Sequence, residues 1–512
     1  MLQRPKRLKI ANDKCLLRIF LAGAVVVAIS IILIPLNIEN ETLLSHHGVV
    51  KLTQDRVGYS VEGKVSSNRI EKRPSQRPAK EEKPTPLEQR QKVEPIATKD
   101  DKLGTPKVSY HIVFSTGCST FQDWQSYVFF FHLLNSGQEG HVTRIASGCE
   151  PDDERDLKSI FQSEIASMAP ERFHLHLTPE FANVKPGTTF KYFNKPFGMR
   201  HWMQHALGYP DKHMEHDESI IILMDPDQIL LRPFTNDFTN SSEKWRLKAG
   251  RNKWKVEHGS PFSQQYGYGL QWLRKPNPEN VFRGENTPIL NLTTKDAYDY
   301  YTGMGPPYIA TAKDMYSIVS KWAEIVPRVH DEYPFLLAEM FGYNLASAHL
   351  GLKHTIAHSF MVSDVWAGGE GWKLIHAVES KDVCHNFPQS ELPHVIHYCQ
   401  RYFVGKYFIG KYRLRKDFIS CKAPLLNVPP ADIAVRYKRA FMPPHPNGGP
   451  LEEKNLTRPN LAKSEAFMVC AMIRALNEAA VYYKDHHCDK ATANYEYNYT
   501  FHEDMTMPED EK

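Results

Sequence analysis

Ile220-Ile221-Ile222-Leu223-Met224-Asp225-Pro226-Asp227 is the stretch on which the reading of this chain turns. Five apolar residues in a row, β-branched at the front, predict a strand buried on both faces; a half-exposed strand would alternate. Two carboxylates one residue apart follow where that strand leaves the core. Extended backbone turns Asp225 and Asp227 to the same side. Their like charges repel unless a cation stands between them. A hard divalent ion fills that role and shares its remaining positions with phosphate oxygens. An Asp-x-Asp alone is a common pattern that also serves turns and helix caps; its place behind a hydrophobic strand gives it weight.

The surroundings of that strand predict an α/β layer. Residues 108–114 read as a strand ending in the loop Ser115-Thr116-Gly117-Cys118. Residues 121–135 read as a helix, with Trp124, Tyr127, Val128, Phe131 and Leu134 at helical spacing, stopped by Ser136-Gly137. Strands at 141–146 and 173–177 alternate with helices at 154–168 and 199–207. Strand–helix alternation predicts a mainly parallel sheet. Ligands of such sheets bind beyond the carboxyl ends of the strands, where the Ser115 and Asp225 loops both fall. Further on, 308–328 reads as a strand or turn running into a helix, 334–350 as a helix, 393–398 as a short strand, and 464–483 as a long helix. No internal repeat, P-loop or Gly-x-Gly-x-x-Gly is present.

Residues 19–36 carry no charge over eighteen positions, and Arg4, Lys6, Arg7, Lys9, Lys14 and Arg18 precede them. That length just spans a hydrocarbon core, and the basic flank stays cytosolic. The run lacks a small-x-small cleavage site, so a single-pass type II anchor in a Golgi or ER membrane is expected rather than a cleaved signal peptide. Residues 1–18 form the cytosolic tail. Residues 37–106 read as a disordered stem, with no aromatic between 71 and 99 and prolines scattered among mixed charges. A large globular part is expected over 107–430, with a helical extension over 431–512. Lys and Arg total 63 against 59 acidic residues, a formal net charge of +4, which indicates no nucleic-acid partner. Seven of the eight cysteines fall on the luminal side, an odd number that leaves at least one free thiol. Cys118 and Cys149, each after a predicted strand, are expected to pair, and Cys470 is matched with Cys488. Asn-x-Ser/Thr acceptors stand at Asn40, Asn240, Asn291, Asn455 and Asn498.

Several blocks resemble the plant and algal family of hydroxyproline O-arabinosyltransferases and peptidyl serine α-galactosyltransferases. They are Tyr110-His111-Ile112-Val113-Phe114-Ser115-Thr116, Phe121-Gln122-Asp123-Trp124-Gln125, Ser136-Gly137-Gln138-Glu139-Gly140, and Thr143-Arg144-Ile145. Asn194-Lys195-Pro196, His201-Trp202, Met224-Asp225-Pro226-Asp227 and Gly305-Pro306-Pro307-Tyr308 continue the series. Ala338-Glu339-Met340-Phe341-Gly342-Tyr343 and His397-Tyr398-Cys399-Gln400-Arg401-Tyr402 follow, and with Gly410-Lys411-Tyr412-Arg413 the last of these leans toward the serine branch.

The resemblance implies a GT-A-like fold, a UDP-sugar donor, Mn2+ or Mg2+, a retaining mechanism, and an acceptor hydroxyl on Ser or hydroxyproline of a secretory or cell-wall glycoprotein. It assigns Asp225 and Asp227 to the metal and the donor diphosphate. It makes His397 a third ligand, which suits Mn2+ better than Mg2+. Lys195 and Arg200 would meet the diphosphate as a point charge and a bidentate fork. Ser115 and Thr116 would touch uridine, and Glu339 or Asp364 would orient donor sugar or acceptor. Trp202 reads as core. Two other readings stay open. Haloacid-dehalogenase-like phosphatases also place Asp-x-Asp after a hydrophobic strand, with the first Asp as nucleophile, although Ile229 stands where they favour Thr or Val. A luminal carbohydrate-binding protein without catalysis would keep the fold alone.

Overall fold

The computed structural model describes residues 108–239, 253–385, 391–442 and 452–499. The expected anchor and stem, with Cys15, Asn40 and Asn240, lie outside them. Among the described residues no helix is long and apolar enough to cross a membrane.

A seven-stranded sheet forms the centre. Its strands are β1 (Tyr110–Gly117), β2 (His141–Ser147), β3 (Phe173–Thr178), β4 (Ile220–Met224), β6 (Phe262–Gln265), β7 (Met304–Thr311) and β8 (Thr355–Ala357), in the order β3-β2-β1-β4-β7-β6-β8. Every neighbouring pair is parallel except β4–β7 and β7–β6, so β7 alone runs against the rest. The mainly parallel sheet expected from the alternation is present, with one reversed strand.

Strand β4 shows why the apolar run is unbroken. Ile221 and Leu223 face one core with Met203, Trp202 and Trp322. Ile220, Ile222 and Met224 face the other with Phe114, Phe130 and Phe360. Each such side chain contributes roughly 1.5–3 kcal/mol when buried, so neither face tolerates a polar residue. Helix α1 (Thr120–Asn135) is buried on every side from Trp124 to Leu133 because it lies between two cores. Its Phe129 and Phe130 pack toward the sheet, while Trp124, Val128 and Phe131 join the C-terminal helix Pro459–His487.

Two smaller sheets complete the site's surroundings. Strand β5 (Gln228–Leu230) pairs antiparallel with β10 (Val395–His397), which pairs with β9 (Met361–Val362). Strands β11 (Arg401–Val404) and β12 (Tyr407–Gly410) form a hairpin packed on the C-terminal helix.

Among the described residues three disulfides join Cys118–Cys149, Cys384–Cys470 and Cys421–Cys488, and Cys399 is the free thiol. The first is the expected pair; Cys470–Cys488 is not formed. Cys470 lies within the helix that Cys488 caps. Eighteen residues of helix separate them by roughly 27 Å, far beyond the reach of one bridge. The helix expected over 154–168 is also interrupted: helix α2 (Pro151–Ile160) gives way to a π turn at Phe161–Ile165 and a 3-10 turn at Ala166–Met168.

Candidate active site

The carboxyl edge of the sheet gathers the groups singled out in the sequence. In the β1–β4 register Phe114 opposes Met224, which sets Ser115 at the level of Asp225. Because β7 is reversed, its first residues reach the same edge, and the Pro306 carbonyl accepts from Gln228 Nε2 at 3.0 Å. Gln228 Oε1 in turn accepts from the Asp225 backbone N–H at 3.0 Å, fixing the turn that carries both aspartates. The antiparallel register of β5 with β10 puts His397 opposite Gln228, one residue from Asp227. Carboxylate oxygens of Asp225 and Asp227 and a ring nitrogen of His397 thus lie within 4.8 Å of one another. No other three His, Cys, Asp or Glu side chains do so among the described residues.

Two lysines complete the cluster. Lys195 Nζ stands 2.6 Å from Asp225 Oδ1 and 3.2 Å from Glu339 Oε1. Lys411 Nζ donates to Asp227 Oδ2, and His397 Nε2 lies 3.3 Å from Asp227 Oδ1. The cluster therefore has two arms. In one, a lysine is shared by two carboxylates; in the other, a carboxylate is shared by two bases. Both arms are buried, with the Glu339 and Asp227 side chains only 4% and 11% exposed, so these charges interact strongly.

The protonation equilibria follow from that arrangement. Burial acts to raise the Asp227 pKa, but Lys411 and His397 outweigh it and hold the carboxyl well below the usual range. Burial would lower both lysines, yet Asp225 and Glu339 hold Lys195, and Asp227 holds Lys411, above the ordinary lysine value. His397 is likewise raised, with Cys399 and Asp227 overcoming burial. Glu339 moves the other way: burial pushes it up to about 7, Lys195 opposes the rise and Asp225 adds to it.

Neighbouring packing locates each member. Helix α3 (Asn194–Ala206) carries Lys195 in its first turn, where Pro196 costs no hydrogen bond. Glu339 opens the helix Ala338–His349, and its carbonyl accepts from Trp322 Nε1 at 2.8 Å. A Cβ on Gly342 would meet the Trp322 ring at 2.8 Å, so glycine sets that approach. Similarly, a Cβ on Gly305 would meet the Tyr266 ring at 2.2 Å. Glycine there lets Tyr266 lie across β7, its hydroxyl donating to the Pro306 carbonyl at 2.7 Å and standing 3.4 Å from His397 Nδ1.

Of the residues assigned from sequence, Asp225, Asp227, Lys195, Glu339 and His397 come together. Arg200 does not. It lies five residues beyond Lys195, roughly 140° around the helix, and its guanidinium stands 5.1 Å over the Phe197 ring. Ser115 and Thr116 belong to β1 rather than to a loop. Thr116 is buried, donating to the Ile145 carbonyl at 3.2 Å and accepting from Arg144 Nε at 3.0 Å. Asp364 turns to its own loop, where its carboxylate accepts from the Trp366 N–H at 2.9 Å. Trp202 is core. Sequence reasoning gave no role to Lys411, Gln228 or Tyr266; Lys411 does sit inside the quoted Gly410–Arg413 block.

Comparison with known proteins covers part of the chain. Residues 110–244 match the model described as the hydroxyproline O-arabinosyltransferase family N-terminal domain. A peptidyl serine alpha-galactosyltransferase of Arabidopsis thaliana is 26% identical over 271 residues, which is 51% of this chain and 28% of that protein. A protein of the same name from Chlamydomonas reinhardtii is 27% identical over 128 residues, 25% of this chain and 15% of that protein. The chain thus matches less than a third of the length of either relative. The resemblance to this family read from the sequence blocks is thereby shown. The apo structure of the WbbM bifunctional glycosyltransferase superposes with a TM-score of 0.30 at 10% identity, over 57% of this chain and 46% of that one; at that score it carries no argument.

Proposed function

We propose that this chain is a glycosyltransferase that moves a sugar from a UDP-sugar donor to a Ser or hydroxyproline hydroxyl of a polypeptide, with retention of configuration. The observation that carries the reading is the two-armed cluster at the carboxyl edge, where three carboxylates meet two lysines and a histidine. The names of the relatives support the acceptor class.

The donor set fits a divalent ion: two carboxylates and an imidazole converge within 4.8 Å, a mixture that suits Mn2+. Asp225, Asp227 and His397 would hold it, and when bound it supplies Lewis-acid neutralisation of the leaving diphosphate. The protein's own residues do the rest. Lys195 and Lys411, fixed by their carboxylates, present point charges to an anionic group above the cluster. Tyr266 and Gln228 keep His397 and the Asp225 turn in place, so little reorganisation accompanies charge development. Glu339, near neutrality in its titration, can hold a sugar hydroxyl as donor or acceptor of a hydrogen bond. In a front-face reaction the departing diphosphate takes the acceptor's proton, which removes the need for a dedicated base. We further propose the type II Golgi or ER topology, on the uncharged run 19–36 and its basic flank.

The test is UDP release by the purified full chain with Mn2+ and a panel of UDP-sugars, with and without a Ser/hydroxyproline-rich peptide. Peptide-stimulated release that disappears in Asp225→Ala and Asp227→Ala supports the transferase and names the sugar. Hydrolysis of an aryl phosphate with Mg2+, and indifference to every UDP-sugar, would replace it with the phosphatase reading.

A further inference from the structure

We propose that His176 and His201 form a cation site of their own, one that takes a nitrogen-preferring transition ion of the Zn2+, Cu2+ or Ni2+ class and ties strand β3 to helix α3. The inference does not rest on the transferase reading, and it uses none of the residues of the Asp225 cluster.

His176 lies on β3 and His201 on α3, and the two partly buried rings face each other with His176 Nε2 2.9 Å from His201 Nδ1. One helical turn on, the His205 ring stacks on His201, with centroids 3.9 Å apart and planes at 18°. His205 Nδ1 lies 2.8 Å from the His201 carbonyl. A carbonyl only accepts, so the neutral His205 ring carries its proton on Nδ1 and its lone pair on Nε2. Metal-bound imidazoles are oriented in this way, one nitrogen donating to a carbonyl and the other left for the ion. Three imidazoles thus meet at one strand–helix contact. A shared N–H between His176 and His201 accounts for one nitrogen of each of those rings and does not account for the third ring.

The spacing and the charges suit an ion. Zn–N bonds of about 2.0–2.1 Å set two imidazole nitrogens roughly 3.3 Å apart on adjacent tetrahedral corners, so the facing nitrogens need part by only about 0.4 Å as the rings turn to admit one. The nitrogens of all three rings do not lie within 4.8 Å of one another. His205 is therefore an outer partner, and water completes the shell around His176 and His201. Burial, with His201 and His205, holds His176 down to about 4, and burial with His205 lowers His201 as well. Both rings are neutral at pH 7, which is the ligating form, and no cationic ring has to lose a proton first. The charges acting on them are those of imidazoles, not of carboxylates. An all-nitrogen set favours Cu2+, Ni2+ and Zn2+ over Mn2+ and Mg2+, the reverse of a carboxylate-rich one. Helix α3 also brings Lys195 to Asp225, so an ion on His201 would brace the helix that positions that lysine. A second facing pair, His141 Nδ1 and His174 Nε2 at 3.0 Å, is exposed and joins strands already paired in the sheet; it serves as the comparison.

The test uses the full chain and the metal ions alone. One equivalent of Cu2+ should give an electron paramagnetic resonance spectrum split by two imidazole nitrogens, whereas the Asp225 cluster offers one. In calorimetry the tightest Zn2+ step should weaken by about tenfold or more in His176→Gln and in His201→Gln, by about threefold in His205→Gln, and not at all in His174→Gln or His397→Gln. Excess Zn2+ should raise the melting temperature of the wild type and leave that of His176→Gln where it stands without metal. A Cu2+ spectrum split by one nitrogen or none overturns the site on the wild type alone, so a variant that fails to fold does not protect it. Zn2+ affinity equal to wild type in both His176→Gln and His201→Gln overturns it too. Loss confined to His174→Gln would move the ion to the exposed pair, and loss confined to His397→Gln would move it to the cluster; either overturns the site. None of these outcomes touches the transferase reading, which stands or falls on donor turnover.

Discussion

The two arms of the cluster are built from different parts of the chain and carry opposite charge balances. Asp225, Lys195 and Glu339 come from the sheet edge and the helices packed beside it, and place two carboxylates around one lysine. Asp227, Lys411 and His397 join that edge to late-chain elements and place two bases around one carboxylate. Each arm alone would leave an uncompensated buried charge; together they nearly cancel. Neutrality is thus a property of the assembled site, and removal of one residue leaves a predictable sign of charge behind.

The largest effect is expected where one group holds two partners. Asp227→Ala strips the shared carboxylate from Lys411 and His397 and leaves two cationic groups facing each other. Breaking a buried pair by removing one partner costs about 3–5 kcal/mol, so thermal unfolding should shift down by several degrees. Turnover should fall at least about a thousandfold, since a metal-ligand and diphosphate anchor is lost with it. A variant that melts low but keeps wild-type turnover would remove the second arm from the chemistry.

Next comes a matched pair that tests the asymmetry directly. Lys195→Met leaves Asp225 and Glu339 without their common cation. Lys411→Met leaves Asp227 still beside His397. Both should cut turnover by about a hundredfold or more, as loss of a preorganised charge does. The melting temperature should drop further for Lys195→Met, and less so at pH 6, where Glu339 takes up a proton and one of the two orphaned charges disappears. Equal drops at every pH would mean that the arms do not differ as their charge counts indicate.

Most of the cluster was legible in the sequence, and the charged group that was missed, Lys411, belongs to the second arm. An unbroken apolar strand names its own carboxyl end, so Asp225 and Asp227 were located by pattern alone. Lys195 followed from a cation one element away, although α3 starts at Asn194 rather than near 199 because proline is accepted in a first turn. Lys411 is 184 residues from the carboxylate it binds, at the end of a hairpin of four-residue strands. No periodicity reports such a contact. Tyr266 and Gln228 were equally hidden, for their roles depend on the reversal of β7, which strand–helix alternation does not encode. Disulfide connectivity failed for a simpler reason: sequence proximity suggested Cys470 with Cys488, and helix length forbids it.

A smaller effect separates Glu339 from a second buried glutamate near the site. Glu370 has no lysine; Ser363 supplies only neutral donors, and burial pushes its carboxyl up to about 8 from an ordinary 4.5. The fold therefore prefers the protonated form. That stability is fully present below about pH 4.5 and is lost as pH rises through about 8. Calorimetry of wild type against Glu370→Gln across this window should show the variant gaining relative stability as pH increases. The same comparison for Glu339→Gln should level off earlier, near pH 7. Parallel curves for the two variants would show that Lys195 makes no difference to its glutamate.

The smallest effect belongs to Arg200, and it measures how much a helical face matters. Sequence reasoning assigned Lys195 and Arg200 together to the donor diphosphate. Five residues of helix turn them to different sides, and only Lys195 meets a carboxylate of the cluster. Arg200 keeps a cation–π contact with Phe197, which is worth about 0.5–1 kcal/mol at a half-exposed position. Arg200→Ala should therefore lower stability by no more than that, and change the donor KM by less than about threefold. A donor KM raised tenfold, with stability unaltered, would place the guanidinium on the diphosphate and make α3 a two-cation element. The charge balance of the first arm would then have to be recounted with Arg200 in it.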